Sequence, residues 1–304
     1  MKALVVGYGS IGRRHAEILT ELGVEVGVVS SREIQYPVAY MNLSQAIEEM
    51  RPSYIVVANK TSDHYNVLIE LIDCQWEGIV LVEKPLFAES RLLPEGHRLR
   101  IAVAYNLRFH PLLRKLKSEL QNERIMSISI YAGQFLPDWR PQRDYRLSYS
   151  SSREEGGGVL RDLSHELDYM LLLCGQWLQV SALGGRFSSL EVTGEDMCSV
   201  LAALERCPIA TLQVNYLDRP GRREIVVVTD RHTYRVDMRN GLFEIDGQVE
   251  VLQTARNDTY LAQHQAILQD QWSDLCTLSD GLAVVQLIEA IEKSFTAKEW
   301  VRRE

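Results

Sequence analysis

Three clusters in the chain carry side chains able to hold a charged ligand and move a proton. The first is Gly7-Tyr-Gly9-Ser10-Ile11-Gly12, placed directly after the apolar run Ala3-Leu-Val-Val6 and before a helical pattern. Gly7 permits a tight turn, Gly9 lets backbone approach a pyrophosphate, and Gly12 allows close helix–strand packing. The amides of Ser10 and Ile11 then stand at a helix N-terminus, whose free donors and positive dipole end favour phosphate. The second cluster is Glu83-Lys84-Pro85, which follows the apolar run Ile79–Val82. If that run is a parallel strand, Glu83 and Lys84 lie at the carboxyl edge of the sheet, where open α/β folds bind ligands and a lysine can face a nicotinamide. The third is Gly156-Gly-Gly-Val-Leu-Arg-Asp162-Leu-Ser-His165-Glu-Leu-Asp168-Tyr169, read as one helix running to Cys174. At 100° per residue, Leu160, Leu163, Leu167, Met170 and Leu171 share one face, and Asp162, His165 and Tyr169 share the opposite one. Three glycines at the helix entry weaken it unless backbone there approaches something closely.

Two further segments could recognise a substrate. Asn106 and Arg108, in Tyr105-Asn106-Leu-Arg108-Phe-His110-Pro111, leave the last apolar run of the N-terminal half and could reach a ligand or serve as hydrogen-bonding structure. The loop around Trp139-Arg140-Pro-Gln-Arg143-Asp-Tyr145-Arg146 interleaves arginines with aromatic rings. Guanidinium groups clamp carboxylates or phosphates and rings stack on sugar faces, so an acidic small molecule suits this loop. Cofactor choice is read after the second strand, where Ser30-Ser31-Arg32 lacks the acid that would accept the ribose hydroxyls of NAD. These three residues can bind a 2′-phosphate instead, so NADP is expected over NAD, with Glu33 just beyond.

The elements that must position these groups follow from periodicity. A helix over Ile11–Leu22, closed by Gly23, leads to a strand at Val24–Val29; Tyr54–Ala58, Ile79–Val82 and Ile101–Ala104 are further β-branched runs separated by helical segments. Strands alternating with helices imply a doubly wound parallel sheet. From about His110 the strands lengthen and alternate, as in Met126–Tyr131, Ala210–Tyr216 and Glu224–Val228, which suits an antiparallel sheet with one covered face. Helices are expected at Leu112–Leu120, Gly158–Cys174, Leu261–Trp272 and Gly281–Ser294. The expected organisation is α/β: a dinucleotide-binding Rossmann domain over 1–109 and an α+β substrate and oligomerisation domain over 110–304.

Composition narrows the partners. A chain of 304 residues with 46% hydrophobic content can bury a substantial core, and a formal charge of -8 disfavours extended contact with nucleic acid or an anionic membrane. Five scattered cysteines with no C-x-x-C pair indicate neither a disulfide framework nor a zinc site, and no metal is expected. No apolar run approaches the ~18 residues of a membrane span, and the reading is cytoplasmic.

Taken in order, the motifs resemble the Gfo/Idh/MocA family of NAD(P)-dependent oxidoreductases, which act mostly on sugars, cyclitols and their derivatives. The resemblance runs over nearly the whole chain: Gly7-x-Gly9-x-x-Gly12 with His15, Asn59-Lys-Thr-Ser-Asp-His64-Tyr65, Glu83-Lys84-Pro85, Tyr105-Asn106-x-Arg108-x-His110-Pro111, and Gly156-Gly-Gly with Asp162, His165 and Asp168. It implies that Asn59 and His64 help bind the cofactor. It also implies that Lys84, Asp162 and His165 line the place where sugar meets nicotinamide, and that dimers or tetramers form through the second domain's sheet. Histidine, with a reference pKa near 6.5, is the first choice for proton exchange; Lys84 then polarises the reacting oxygen while Asp162 orients. Some departures stand out. Only about fifteen residues separate Pro85 from Ile101, Ala104 replaces a frequent glycine, Lys60 stands where a small residue or proline is frequent, and Asp162 and His165 are three apart where many members have four. The same fold also serves as a dinucleotide or sugar sensor without turnover, and as a bile-pigment reductase.

Overall fold

In the computed structural model, residues 1–303 are described, and the chain folds into two compact units. The first gathers Met1–Phe109 and a return segment, Arg256–Leu282; the second gathers His110–Ala255 and the residues from Ala283 onward.

The first unit begins with strand β1 (Lys2–Val6), helix α1 (Ser10–Glu21), β2 (Glu25–Val29), β3 (Ala39–Tyr40), α2 (Leu43–Met50), β4 (Tyr54–Val57), α3 (His64–Asp73), β5 (Gly78–Val82) and β6 (Leu99–Val103). The sheet runs β6-β5-β4-β1-β2-β3 with every one of these pairs parallel. β4 is buried along its whole length, as expected of a strand covered on both faces, and its Val/Ile runs are the signal that made it legible. Between β5 and β6 no helix forms among residues 83–98; an irregular loop makes the crossover. β1 lies between β2 and β4, so the chain direction around the sheet reverses beside it; Gly7 follows directly on β1, and Asn59 lies two residues beyond the end of β4. Ligands of doubly wound sheets bind at such a switch point.

In the second unit, α4 (Pro111–Glu119) precedes the long strand β7 (Ile125–Gly133), and α5 (Val159–Asp162) and α6 (His165–Cys174) precede seven strands. These are β8 (Trp177–Gly185), β9 (Met197–Leu204), β10 (Cys207–Asn215), β11 (Arg222–Thr229), β12 (Thr233–Asp237), β13 (Leu242–Ile245) and β14 (Gln248–Val251). The sheet order is β14-β13-β12-β11-β7-β10-β9-β8, closed by the short strand Val301–Arg302, and all pairs are antiparallel except β7 with β10. Registers place Val200, Leu212, Ile130 and Ile225 on one face, all buried, while Leu201, Thr211, Ser129 and Val226 share the other. α5 packs against β9 and β10, and α6 against β7.

The return segment supplies helix α7 (Asp258–Leu268) and the strand Cys276–Thr277, which pairs antiparallel with β6. Ala266, Ile267 and Leu275 join the core of the first sheet. Helix α8 (Leu278–Ala297) follows. Among the described residues no helix is long and apolar enough to cross a membrane.

One expected helix is corrected. Gly158–Cys174 is not continuous: Leu163 ends α5 with φ -100 and ψ 35, and α6 restarts at His165. The break resets the angular phase, so the counting that put Tyr169 on a polar face with Asp162 and His165 fails. Tyr169 is completely buried.

Candidate active site

The glycine turn is built for close backbone approach on one side and open space on the other. A Cβ on Gly7, whose φ is +97, would lie 2.6 Å from the Asn59 amide nitrogen, and one on Gly12 would lie 1.9 Å from the Gly7 carbonyl. A Cβ on Gly9 would meet nothing within 4 Å. Gly9 caps α1 without a side-chain hydrogen bond, so the amides of Ser10 and Ile11 stand in the first turn with the helix dipole behind them. The Oδ1 atom of Asn59, beside this turn, is buried without a partner among the described residues. A crowded Gly7–Gly12 contact, an open Gly9 and an unsatisfied Asn59 fit a dinucleotide pyrophosphate. At the end of β2, Ser30 is buried and its hydroxyl donates to the Arg32 carbonyl while accepting the Arg32 amide, so it holds the turn from which exposed Ser31 and Arg32 project.

Lys84 is half-buried and held from both sides by its neighbours. The Glu83 carboxylate accepts the Lys84 amide through Oε2 at 3.1 Å and His15 Nε2 through Oε1 at 2.8 Å. On the other side His64 is buried, and its Nδ1 reaches the Pro85 and Leu86 carbonyls at 3.2 and 3.1 Å. Burial lowers the His64 pKa, partly offset by those carbonyls and by Glu83. His64 therefore fastens the Lys84 loop, a role that its motif position did not disclose.

In the second unit, Asp162 is buried and its Oδ2 accepts the Tyr216 hydroxyl at 2.6 Å. Tyr149 hydrogen-bonds the same carboxylate; the charge of Asp162, then desolvation, pushes the Tyr149 pKa up, and the nearby Arg140 guanidinium opposes the rise. The Trp139 ring meets the Tyr216 ring edge-on at 5.5 Å, and its Nε1 donates to the Gln134 carbonyl. The aromatic, basic loop and Asp162 thus form one cluster. His165 opens α6, half-buried, three residues on.

The glycines before Asp162 are explained by this fold. A Cβ on Gly157 would lie 2.1 Å from the Tyr149 carbonyl, and one on Gly158, at φ +114, 2.6 Å from Glu195 Oε1. Glu195 in turn accepts the Leu160 amide at 3.1 Å. The close approach inferred from the glycines is to this carboxylate and these carbonyls.

Other expected ligand contacts are engaged elsewhere. Asn106 Nδ2 donates to Thr259 Oγ1 at 2.7 Å, and Arg108 Nη1 donates to the Leu275 carbonyl and pairs with Asp280 at 3.1 Å, so both buried side chains tie down the return segment. Tyr169 donates to Glu166, which pairs with Arg223 at 2.7 Å. The Tyr145 hydroxyl accepts the Glu191 amide, while Arg143 is exposed. Tyr216 and Glu195 went unread because each sits in an ordinary strand or loop with no motif around it.

A dinucleotide cradle on a doubly wound sheet, followed by Lys84 at a strand end, defines an oxidoreductase. The chain belongs to the Gfo/Idh/MocA family: the model of the oxidoreductase family with NAD-binding Rossmann fold matches residues 1–96, and that of the GFO/IDH/MocA C-terminal domain matches 113–241. No curated protein sequence matches it. Among solved structures it is similar to GenD2 from gentamicin A biosynthesis in complex with NAD, at 20% identity and TM-score 0.81, covering 100% of this chain and 96% of that one. It is similar to a levoglucosan dehydrogenase in complex with NADH, at 13% identity and TM-score 0.85, with 99% and 98% covered. The WlbA dehydrogenase from Bordetella pertussis, in complex with NADH and UDP-GlcNAcA, is 18% identical with TM-score 0.81, with 100% and 98% covered.

Proposed function

We propose that this protein oxidises or reduces a hydroxyl-bearing carbon of an acidic or nucleotide-linked sugar, with NADP(H) preferred over NAD(H). The observation that carries the sugar reading is the Asp162 cluster, where one buried carboxylate is gripped by Tyr216 and Tyr149 with the Trp139 ring and the Arg140 charge beside them. Carboxylate for hydroxyls, rings for a sugar face and guanidinium for an anion are the groups such a substrate requires. The bound sugar nucleotide of WlbA is the same class of ligand.

Gly7, Gly9, Ser10, Ile11, Gly12 and Asn59 would hold the pyrophosphate, and Ser31 with Arg32 a 2′-phosphate. When bound, the nicotinamide supplies the hydride donor or acceptor for the substrate carbon. His165 takes the hydroxyl proton in the oxidation direction and returns it in reduction, Lys84 hydrogen-bonds the reacting oxygen, and Asp162 orients the substrate. The open face of the second sheet carries exposed Leu183, Leu201, Ile209 and Val228 and is where we place the contact of a homodimer or homotetramer. All five cysteines are free thiols, in keeping with a reducing cytoplasm.

The test is to follow nicotinamide absorbance with NADP and NAD against UDP-N-acetylglucosamine, its uronic acid and free uronic acids, in the wild type and in Lys84→Ala and His165→Ala. Turnover lost in both variants is expected. Cofactor binding without turnover on any of these sugars would overturn the reading in favour of a sensor.

A further inference from the structure

Behind Lys84 the first unit contains an unbroken line of four buried side chains. Tyr54 Oη lies 2.9 Å from His264 Nδ1, His264 Nε2 lies 2.8 Å from His15 Nδ1, and His15 Nε2 lies 2.8 Å from Glu83 Oε1. Tyr54, His264 and His15 have no exposed surface, and Glu83 is 8% exposed. The two imidazole rings stand perpendicular, with centroids 5.0 Å apart. The line ends where Glu83 Oε2 accepts the Lys84 amide.

Its donor pattern can be worked out. Burial holds His264 well below the ordinary histidine pKa, so it is neutral. Burial would raise the Glu83 carboxyl, but the hydrogen bond from His15 and the charge and amide of Lys84 prevail and lower it, so it is ionised. Two patterns remain. In one, Tyr54 donates to His264 Nδ1, His264 Nε2–H donates to His15 Nδ1, and His15 Nε2–H donates to Glu83, so every polar hydrogen finds an acceptor. In the reverse, His15 is a cation that donates from both nitrogens, His264 donates to Tyr54, and the Tyr54 hydroxyl proton has no acceptor among the described residues. A buried donor left unmade is disfavoured, which selects the first. Tyr260 meets the His15 ring edge-on at 5.7 Å with Arg14 over the Tyr260 ring, and Lys84 is the cation beside Glu83.

We propose that Tyr54, His264 and His15 are positioning residues: a fixed run of donors toward Glu83 keeps its carboxylate in one orientation and thereby sets the backbone from which Lys84 projects. The role rests on the reading of Lys84 as the residue that hydrogen-bonds the reacting oxygen. The His64 ring clamps the other end of the same loop, so Lys84 is held between two histidine systems.

The test is nuclear magnetic resonance of the full-length protein, which needs no substrate. Long-range 1H–15N spectra at pH 8 should show His15 and His264 both as neutral Nε2–H tautomers. The Lys84 amide cross-peak should shift in His264→Leu and return to its wild-type position in His264→Gln, whose amide can both donate to His15 and accept from Tyr54. A doubly protonated His15, a Lys84 amide unmoved in His264→Leu, or one equally displaced in both variants would overturn the proposal. If His264→Leu does not fold, the wild-type tautomers and Tyr54→Phe decide, with a displaced Lys84 amide expected in the latter and an unmoved one counting against. These signals are independent of sugar turnover, so loss of the proposed reaction leaves the positioning line standing.

Discussion

Tyr216 Oη lies 2.6 Å from Asp162 Oδ2, and the two residues come from the end of a long strand and the end of a four-residue helix. The contact, with Tyr149 on the same carboxylate, makes Asp162 an acceptor already committed to two phenols. Burial, then the Asp162 charge, holds the Tyr216 pKa well up, so this hydroxyl stays protonated as a donor. Tyr216→Phe keeps the ring that packs on Trp139 and removes only the donor. A hydrogen bond to a charged group contributes about 1.5–3 kcal/mol, so kcat/KM should fall about tenfold or more while the Kd for NADH is unchanged. Steady-state kinetics beside cofactor titration would check it; an equal loss in cofactor affinity would show that the pair serves the fold.

Gly9 and Gly12 should respond oppositely to alanine. At Gly12 the new methyl meets the Gly7 carbonyl at 1.9 Å, and overpacking of this kind costs about 1–3 kcal/mol or more. At Gly9, φ -80 is open to alanine and nothing lies within 4 Å, so the melting temperature should hardly change. With the pyrophosphate in that open space, as proposed, the Kd for NADH should rise about tenfold in Gly9→Ala, roughly 1.4 kcal/mol. Thermal melts with and without NADH would separate the two effects.

How much of this could be read beforehand depends on how local each signal is. The parallel sheet was legible because β1, β4 and β5 are buried on both faces and so write continuous Val/Ile/Leu runs, and the glycine turn because its constraints fall within six residues. The break at Leu163 was not, since neither Leu163 nor Ser164 is a helix-stopping residue type. Asn106 and Arg108 have the right types for a ligand, but their partners Thr259, Leu275 and Asp280 lie more than 150 residues away, and no local pattern announces them. The same holds for His15 and His264, 249 residues apart.

Arg32 should decide cofactor preference. It is exposed, projected by the Ser30 turn, and no acid stands at the end of β2. Arg32→Ala should weaken NADPH binding about tenfold, by loss of a charge-assisted contact, and leave NADH nearly unchanged; Arg32→Glu should invert the preference. Fluorescence titration of both cofactors measures this directly, and tighter NADH binding by the wild type would sink the expectation.

Acid should destabilise the protein through His110. Its Nδ1 accepts the Leu112 amide as the N-cap of α4, and burial, then the Arg223 charge, holds its pKa at about 4 against an ordinary 6.5. Above pH 6.5 the group is neutral folded and unfolded and its contribution is whole. As pH falls toward 4 the unfolded chain takes up the proton first, and stability is lost by an amount on the order of 3 kcal/mol; below that pH the loss stops. Buried His64 and His264 slope the same way. His110→Asn keeps an N-cap acceptor without a titrating group, so urea unfolding between pH 7 and 4 should show a shallower decline than the wild type. Parallel declines would mean that His110 is protonated in the folded protein, with α4 capped some other way.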